Sequence, residues 1–209
     1  KAKMVGRDYS CTVSEGRLAW SPNPSRWSTA RTYSDLKLQE PEGDAVRHNA
    51  SGAVAIVESM QTDLPVQGNA VREGLANTKL LGRIQVLEGE IEQIFDVAHN
   101  PAAIANLAAF IGKRHPVRRN IAVFSMLKDK DLAEVVRLMG SRISSWHLTQ
   151  LGGLRATPLQ DLADVVSNHS NSDIMMWPEP LLAYKMAMQL ARPGDRVLVF
   201  GSFYLVGAI

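Results

Sequence analysis

Three strand-to-helix junctions in this 209-residue chain carry side chains of the kinds that hold anions or move protons. At the first, "FDVAHNP" (95–101), Asp96 interrupts an apolar run and His99 stands at its exit. A buried carboxylate requires a hydrogen-bond partner or a cation to offset its desolvation. Asn100 has the chemistry of a helix cap and Pro101 suits a first helical position. That leaves His99 at the mouth of a helix, where negative charge is favoured. At the second, "SMLKDKD" (125–131), Ser125 ends a strand and Asp129, Lys130 and Asp131 open a helix, where complementing the helix dipole is a sufficient explanation for them. At the third, "VFGS" (199–202), Gly201-Ser202 turns the last strand into a helix. Amides at that turn suit a carboxylate or phosphate, and Ser202 serves equally well as a cap. Upstream, Asn49 either caps a helix or offers its amide to the edge of a base. Arg83, after Gly82, is either a linker arginine or a clamp for phosphate.

These positions need a scaffold, and the sequence changes grammar along its length. Residues 1–40 read as β-rich and turn-rich, with "YSCTV", "GRLAW" and "YSDLKL" as short strands around a loop at 21–30. Helices are expected at 46–60 and 65–78. From residue 83 a hairpin turning at Gly89 leads into strands "NIAVFSM", "SSWHLTQ", "DIMMW" and "RVLVFGS". These alternate with helices near 101–114, 129–139, 158–168 and 179–191. That alternation predicts a mostly parallel sheet flanked by helices, with the first hairpin strand as an antiparallel edge. The expected domains are 1–82 and 83–209. In such a sheet, ligands bind beyond the carboxyl ends of the strands, where the three junctions fall.

The totals narrow the function classes. Formal net charge is +2, and no lysine- and arginine-rich run is interleaved with aromatics, so nucleic acid is not favoured. No stretch approaches the roughly 20 apolar residues of a membrane span. The single cysteine, Cys11, excludes an internal disulfide and has no visible histidine partner for nucleophilic work. His115, His147 and His169 lack metal-ligand spacing and are expected at the surface or in packing, and the four tryptophans in core or rim positions. There is no G-x-x-x-x-G-K-[ST] loop, no G-x-G-x-x-G fingerprint and no nucleophile elbow. Position 1 is lysine, and the chain is expected to be part of a longer one.

Taken in order, "HNASGAVA", "KLLGRIQ", "FDVAHNP", "MLKDKD", "LRATPLQDLA" and "VFGSFYLVG" resemble the C-terminal half of the folylpolyglutamate synthase/dihydrofolate synthase branch of the Mur ligase superfamily. The resemblance implies a Rossmann-like α/β domain preceded by the tail of a central ATPase domain. It also implies a cytoplasmic, monomeric enzyme that uses ATP and Mg2+ to join L-glutamate to dihydropteroate or a folate through an acyl phosphate. By matching motif, Asn49 resembles the residue near adenine and Arg83 the arginine that reaches the phosphates. Asp96 resembles the aspartate on the nucleotide and magnesium side, and with His99 forms the implied catalytic pair. His99 and Ser202 resemble the lining of the glutamate site. The resemblance places these groups at a cleft between domains and the phosphate loop upstream, so this chain alone is expected to turn over no substrate. Leu81 departs from the usual proline and Ser125 from the usual glycine, neither of them a charged contact. The alternatives are a cell-wall ligase of the same superfamily and a non-catalytic nucleotide-binding module.

Overall fold

The computed structural model describes residues 3–27, 29–38, 44–78 and 80–209. Ser28, in the loop expected at 21–30, lies outside them. Two compact units divide at Lys79 and Leu80.

In the first unit, β1 (Tyr9–Ser14), β2 (Arg17–Pro22) and β3 (Tyr33–Lys37) form an antiparallel sheet in that order. Glu15 and Gly16 between β1 and β2 both have positive φ, 50° and 72°, which matches the twist of a tight hairpin. Trp20 is fully buried, with Tyr9, Trp27 and Tyr33 around it at ring-centroid distances of 5.4, 5.8 and 6.4 Å. Helices α1 (Asp44–Ser59) and α2 (Gly68–Asn77) cover the sheet. Buried Glu58 on α1 accepts from the Arg31 guanidinium at 2.9 Å and from the Tyr33 hydroxyl at 2.7 Å, which fastens helix to sheet. Burial, then the hydrogen bond to Glu58, pushes the Tyr33 phenol up to about 12.

The second unit is built on six strands: β4 (Gln85–Leu87), β5 (Glu92–Asp96), β6 (Asn120–Phe124), β7 (Ser145–Thr149), β8 (Asp173–Trp177) and β9 (Arg196–Phe200). Their order is β4-β5-β9-β6-β7-β8, with β4 antiparallel and the rest parallel. The chain moves outward from β5 through β6 and β7 to β8 by way of α3 (Pro101–Lys113), α4 (Leu132–Gly140) and α5 (Leu159–His169). Those three helices pack on one face, around Ile104, Val135, Trp146 and Leu162. It then returns through α6 (Pro180–Leu190) to insert β9 in the middle. A reversed direction with right-handed crossovers requires the opposite face. Accordingly α6 and α7 (Phe203–Gly207) pack there, around Val123, Ala183, Val199 and Leu205. Fully buried His147 stacks on Trp177 and accepts its indole proton at Nδ1 over 3.1 Å, and burial pushes its imidazole down to about 4.

The amino ends of the central strands carry buried charge. Glu92 and Arg196 pair across β5 and β9 and hydrogen-bond to each other, and Arg114 donates to Glu92 at 2.7 Å. Burial pushes the Glu92 carboxyl up, but hydrogen bonds from Arg114 and Arg196 outweigh it and hold the group below its ordinary value. Asp195 accepts from Arg119 at 2.7 Å, from Arg118 at 3.2 Å and from the Arg192 amide at 2.9 Å. Burial raises this carboxyl too, yet those bonds leave it at about 2.

Two outcomes are expected. Arg196→Ala leaves Glu92 buried with one partner fewer and should lower unfolding free energy by about 3–5 kcal/mol in urea titrations at pH 7. Asp195 titrates in the folded chain at about 2, below its ordinary 3.8, so its contribution is complete above about pH 4 and lost as pH falls through about 2. The urea midpoint of the unsubstituted chain should therefore fall more steeply between pH 5 and pH 2.5 than that of Asp195→Asn.

Candidate functional site

The carboxyl ends of the strands gather most of the polar residues singled out in the sequence. β9 is the switch point: its neighbours β5 and β6 lead to helices on one face, whereas β9 leads to α7 on the other. A crevice opens where adjacent strands diverge in this way. There lies a pocket of about 200 Å³ lined by His99 after β5, Leu127 and Lys130 after β6, Arg155 after β7, and Gly201 through Tyr204 after β9.

Each lining group is held by local structure. Asn100 caps α3 by accepting from the Ala103 amide at 3.0 Å, and Pro101 occupies the first turn. His99 Nδ1 lies 2.8 Å from the Val97 carbonyl, which can only accept, so Nδ1 carries the proton and Nε2 is the remaining nitrogen. The His99 ring packs against Phe203 at 5.8 Å between centroids. Buried Ser202 caps α7, its hydroxyl accepting from the Tyr204 amide at 3.1 Å, and also lines the pocket. Helix α4 begins at Leu132 rather than at the expected 129, because Asp131 is its cap and accepts from the Glu134 amide at 3.1 Å. Asp129 and Lys130 therefore belong to the loop. Asp129 accepts from Arg155 in three contacts, from Nη2 at 2.8 and 3.0 Å and from Nε at 3.3 Å, and lies 3.4 Å from Lys130. One carboxylate thus stands against two cations and the His99 imidazole, and the pocket favours an anion.

Asp96 is 6% exposed, and each of its carboxylate oxygens accepts a backbone amide: Oδ2 from Ile84 at 2.8 Å and Oδ1 from Ala98 at 2.6 Å. Burial raises the Asp96 carboxyl above its ordinary value; the bonds from Ala98 and Ile84, then the charges of Arg83 and His99, act against that rise. The partner that a buried acid demands is thus the main chain. Arg83 is exposed, with its guanidinium carbon 5.2 Å from the Phe203 ring centroid. Ser125 is fully buried, and its side chain does not line the pocket. Asn49 lies in the second turn of α1, exposed, because the helix begins at Asp44; it does not cap that helix. Asn49 belongs to the first unit, and Arg83, Asp96, His99 and Ser202 to the second.

Sequence reasoning assigned no role to Arg155, Phe203 or Tyr204. Arg155 reaches the pocket because Ala156 bridges to Leu127 and Lys128 donates to the Arg155 carbonyl, a loop-to-loop match that no local periodicity encodes. Among the described residues, no three His, Cys, Asp or Glu side chains converge on a metal position. Asp96, the carboxylate expected on the magnesium side, accepts one amide at each oxygen.

An open, mostly parallel sheet with helices on both faces and a pocket at its switch point defines a doubly wound α/β domain. The model of the Mur ligase, glutamate ligase domain, matches residues 82–203, and the chain belongs to that family. It is 34% identical over 161 residues to the dihydrofolate synthase/folylpolyglutamate synthase of Escherichia coli, covering 77% of this chain and 36% of that protein. Escherichia coli FolC in complex with DHPP and ADP superposes with a TM-score of 0.74 at 28% identity, over 97% of this chain and 45% of that one. A bifunctional folylpolyglutamate synthase/dihydrofolate synthase with Mn, AMPPNP and L-glutamate bound gives 0.72 at 26% identity, over the same shares. This chain therefore spans less than half the length of these relatives. No described helix is long and apolar enough to cross a membrane.

The pocket wall tolerates no side chain at Gly201. Its φ is +114°, and an added Cβ would lie 2.4 Å from the Ser125 carbonyl oxygen. Gly201→Ala is expected to destabilise the chain by about 1–3 kcal/mol from backbone strain alone, with the overlap adding to it, read as a lowered thermal midpoint.

Proposed function

We propose that this chain forms the amino-acid-binding part of an ATP-dependent ligase that joins L-glutamate to dihydropteroate or a folate. The observation that carries this is the anion-favouring pocket of Lys130, Arg155, His99 and Ser202, at the switch point of a domain whose family is named for glutamate ligation. L-glutamate brings two carboxylates and one amine. Lys130 and Arg155 match the carboxylates by charge, with Arg155 held in place by the Asp129 carboxylate that its Nε and Nη2 donate to. His99 and Ser202 orient the amino-acid end.

In this reading the acceptor's carboxyl group takes the terminal phosphoryl group of ATP and becomes an acyl phosphate. The uncharged amine of glutamate attacks its carbonyl carbon. The new C–N bond forms as the C–O bond to phosphate breaks, and inorganic phosphate leaves with the proton that the amine gives up, ADP being the other product. Lys130, Arg155, His99 and Ser202 contribute by holding the nucleophile in line, which removes much of the entropic barrier of a two-substrate reaction. Arg83, exposed and stacked on Phe203, offsets charge on the nucleotide phosphates, and Asn49 on α1 takes the adenine side. Asp96 belongs to the nucleotide side beneath Arg83. No step is assigned to magnesium, for which the described residues offer no ligand set.

The test is a titration of the 15N-labelled chain with L-glutamate, followed by NMR. Shifts should concentrate on His99, Lys130, Arg155 and Ser202, and Arg155→Ala should weaken binding by roughly 10- to 100-fold, the scale of a lost charge-assisted contact. Equal response to L-glutamate and to glycine would count against the assignment. In the ligase that carries this sequence, turnover with dihydropteroate or a reduced folate but not with a muramyl peptide is expected.

A further inference from the structure

The Asp96 carboxylate completes a strand pairing that the backbone cannot. β4 and β5 pair in register from Leu87↔Gln93 to Gln85↔Phe95, and one further step sets Ile84 opposite Asp96. The ladder fails there because Ile84 has φ +45°, a left-handed conformation costly for a β-branched residue. The strand also bends at Gly82, φ +67°, where an added Cβ would lie 2.9 Å from Val97 Cγ1 and 3.1 Å from Val206 Cγ1. The Ile84 amide donates instead to Asp96 Oδ2, the Ala98 amide donates to Oδ1, and the Val97 amide donates to the Gly82 carbonyl at 2.7 Å. Ile84 immediately follows Arg83, and Ala98 immediately precedes His99. The two functional side chains that emerge from these segments converge on one ring, with Phe203 touching both the Arg83 guanidinium and the His99 imidazole.

We infer that Asp96 is a positioning residue: its carboxylate, by accepting both amides, fixes the main chain beside Arg83 and beside His99 and so sets the two side chains against Phe203. This positioning acts through those two residues, whatever else the carboxylate meets. The identity of what Arg83 and His99 hold rests on the ligase reading above; the pinning does not.

Hydrogen exchange and side-chain NMR on the full 209-residue chain test this without any turnover. Asp96→Asn keeps the shape but replaces one acceptor oxygen with an NH2 that faces a backbone donor. Exchange at Ile84 and Ala98 should accelerate about tenfold or more while Val123 and Val199 in the central strands keep their protection. The Arg83 Nε–H and the His99 ring protons should at the same time lose the shifts imposed by the Phe203 ring. Unchanged exchange at both amides, or unmoved Arg83 and His99 signals, would overturn the inference. If Asp96→Asn does not fold, the unsubstituted chain still decides: through-hydrogen-bond couplings from the Ile84 and Ala98 nitrogens to the Asp96 carboxyl carbon are expected, and their absence at both overturns it. A positive result here with no glutamate binding would sink the ligase reading alone, and glutamate binding without the pinning signature would sink this inference alone.

Discussion

A carboxylate at the end of a core strand persists only if its oxygens are bonded, and at Asp96 the bonds come from the main chain. That constraint reaches outward. The Ile84 amide is available to Asp96 because the strand leaves its ladder there, with Gly82 making the bend and Ile84 held in a left-handed conformation. The Ala98 amide is available because β5 ends at Asp96 and α3 has its own cap in Asn100. Two segments already joined by the bond from the Val97 amide to the Gly82 carbonyl are joined again through Asp96, and Arg83 and His99 emerge from them. Relief of strain at Ile84 would come only at the expense of one of the two bonds to a buried acid.

The two ends of the sheet use charge in opposite ways. At the amino ends, Glu92, Arg196, Arg114, Asp195 and Arg119 satisfy one another, and the result is stability that depends on ionised carboxylates. At the carboxyl ends, Arg155 and Lys130 line the pocket, and the one carboxylate of Asp129 is shared between them. Satisfied charge makes scaffold, whereas the unbalanced kind makes a place for an anion. β9 joins the two: Arg196 opens it at the paired end, and Gly201 and Ser202 close it at the pocket.

Where the chemistry was local, the sequence was readable. Asn100-Pro101 announces a helix start because capping needs nothing beyond the next few residues. The parallel sheet was legible because apolar strands alternate with helices, and its antiparallel edge because of the turn near Gly89. Strand order was not: that β9 inserts between β5 and β6 depends on which faces the helices cover. Asp96 drew notice as an acid in an apolar run, but one of its two partners lies 12 residues away and is available only because a ladder stops. Arg155 was invisible as a site residue because its position depends on two loops meeting at Leu127 and Ala156. Asn49 was misplaced in its helix because α1 starts at Asp44, five residues before it.

The central position of β9 also orders events in time. Glu92 and Arg196, partners across β5 and β9, are 104 residues apart in the chain. On a ribosome, β5 and β6 must wait as unpaired edges, separated by a gap one strand wide, while everything between them and β9 is synthesised. Closing so long a loop is slow, and open apolar edges invite pairing with other nascent chains. The strand that completes the pocket is also the strand that ends the chain's period of greatest exposure to aggregation.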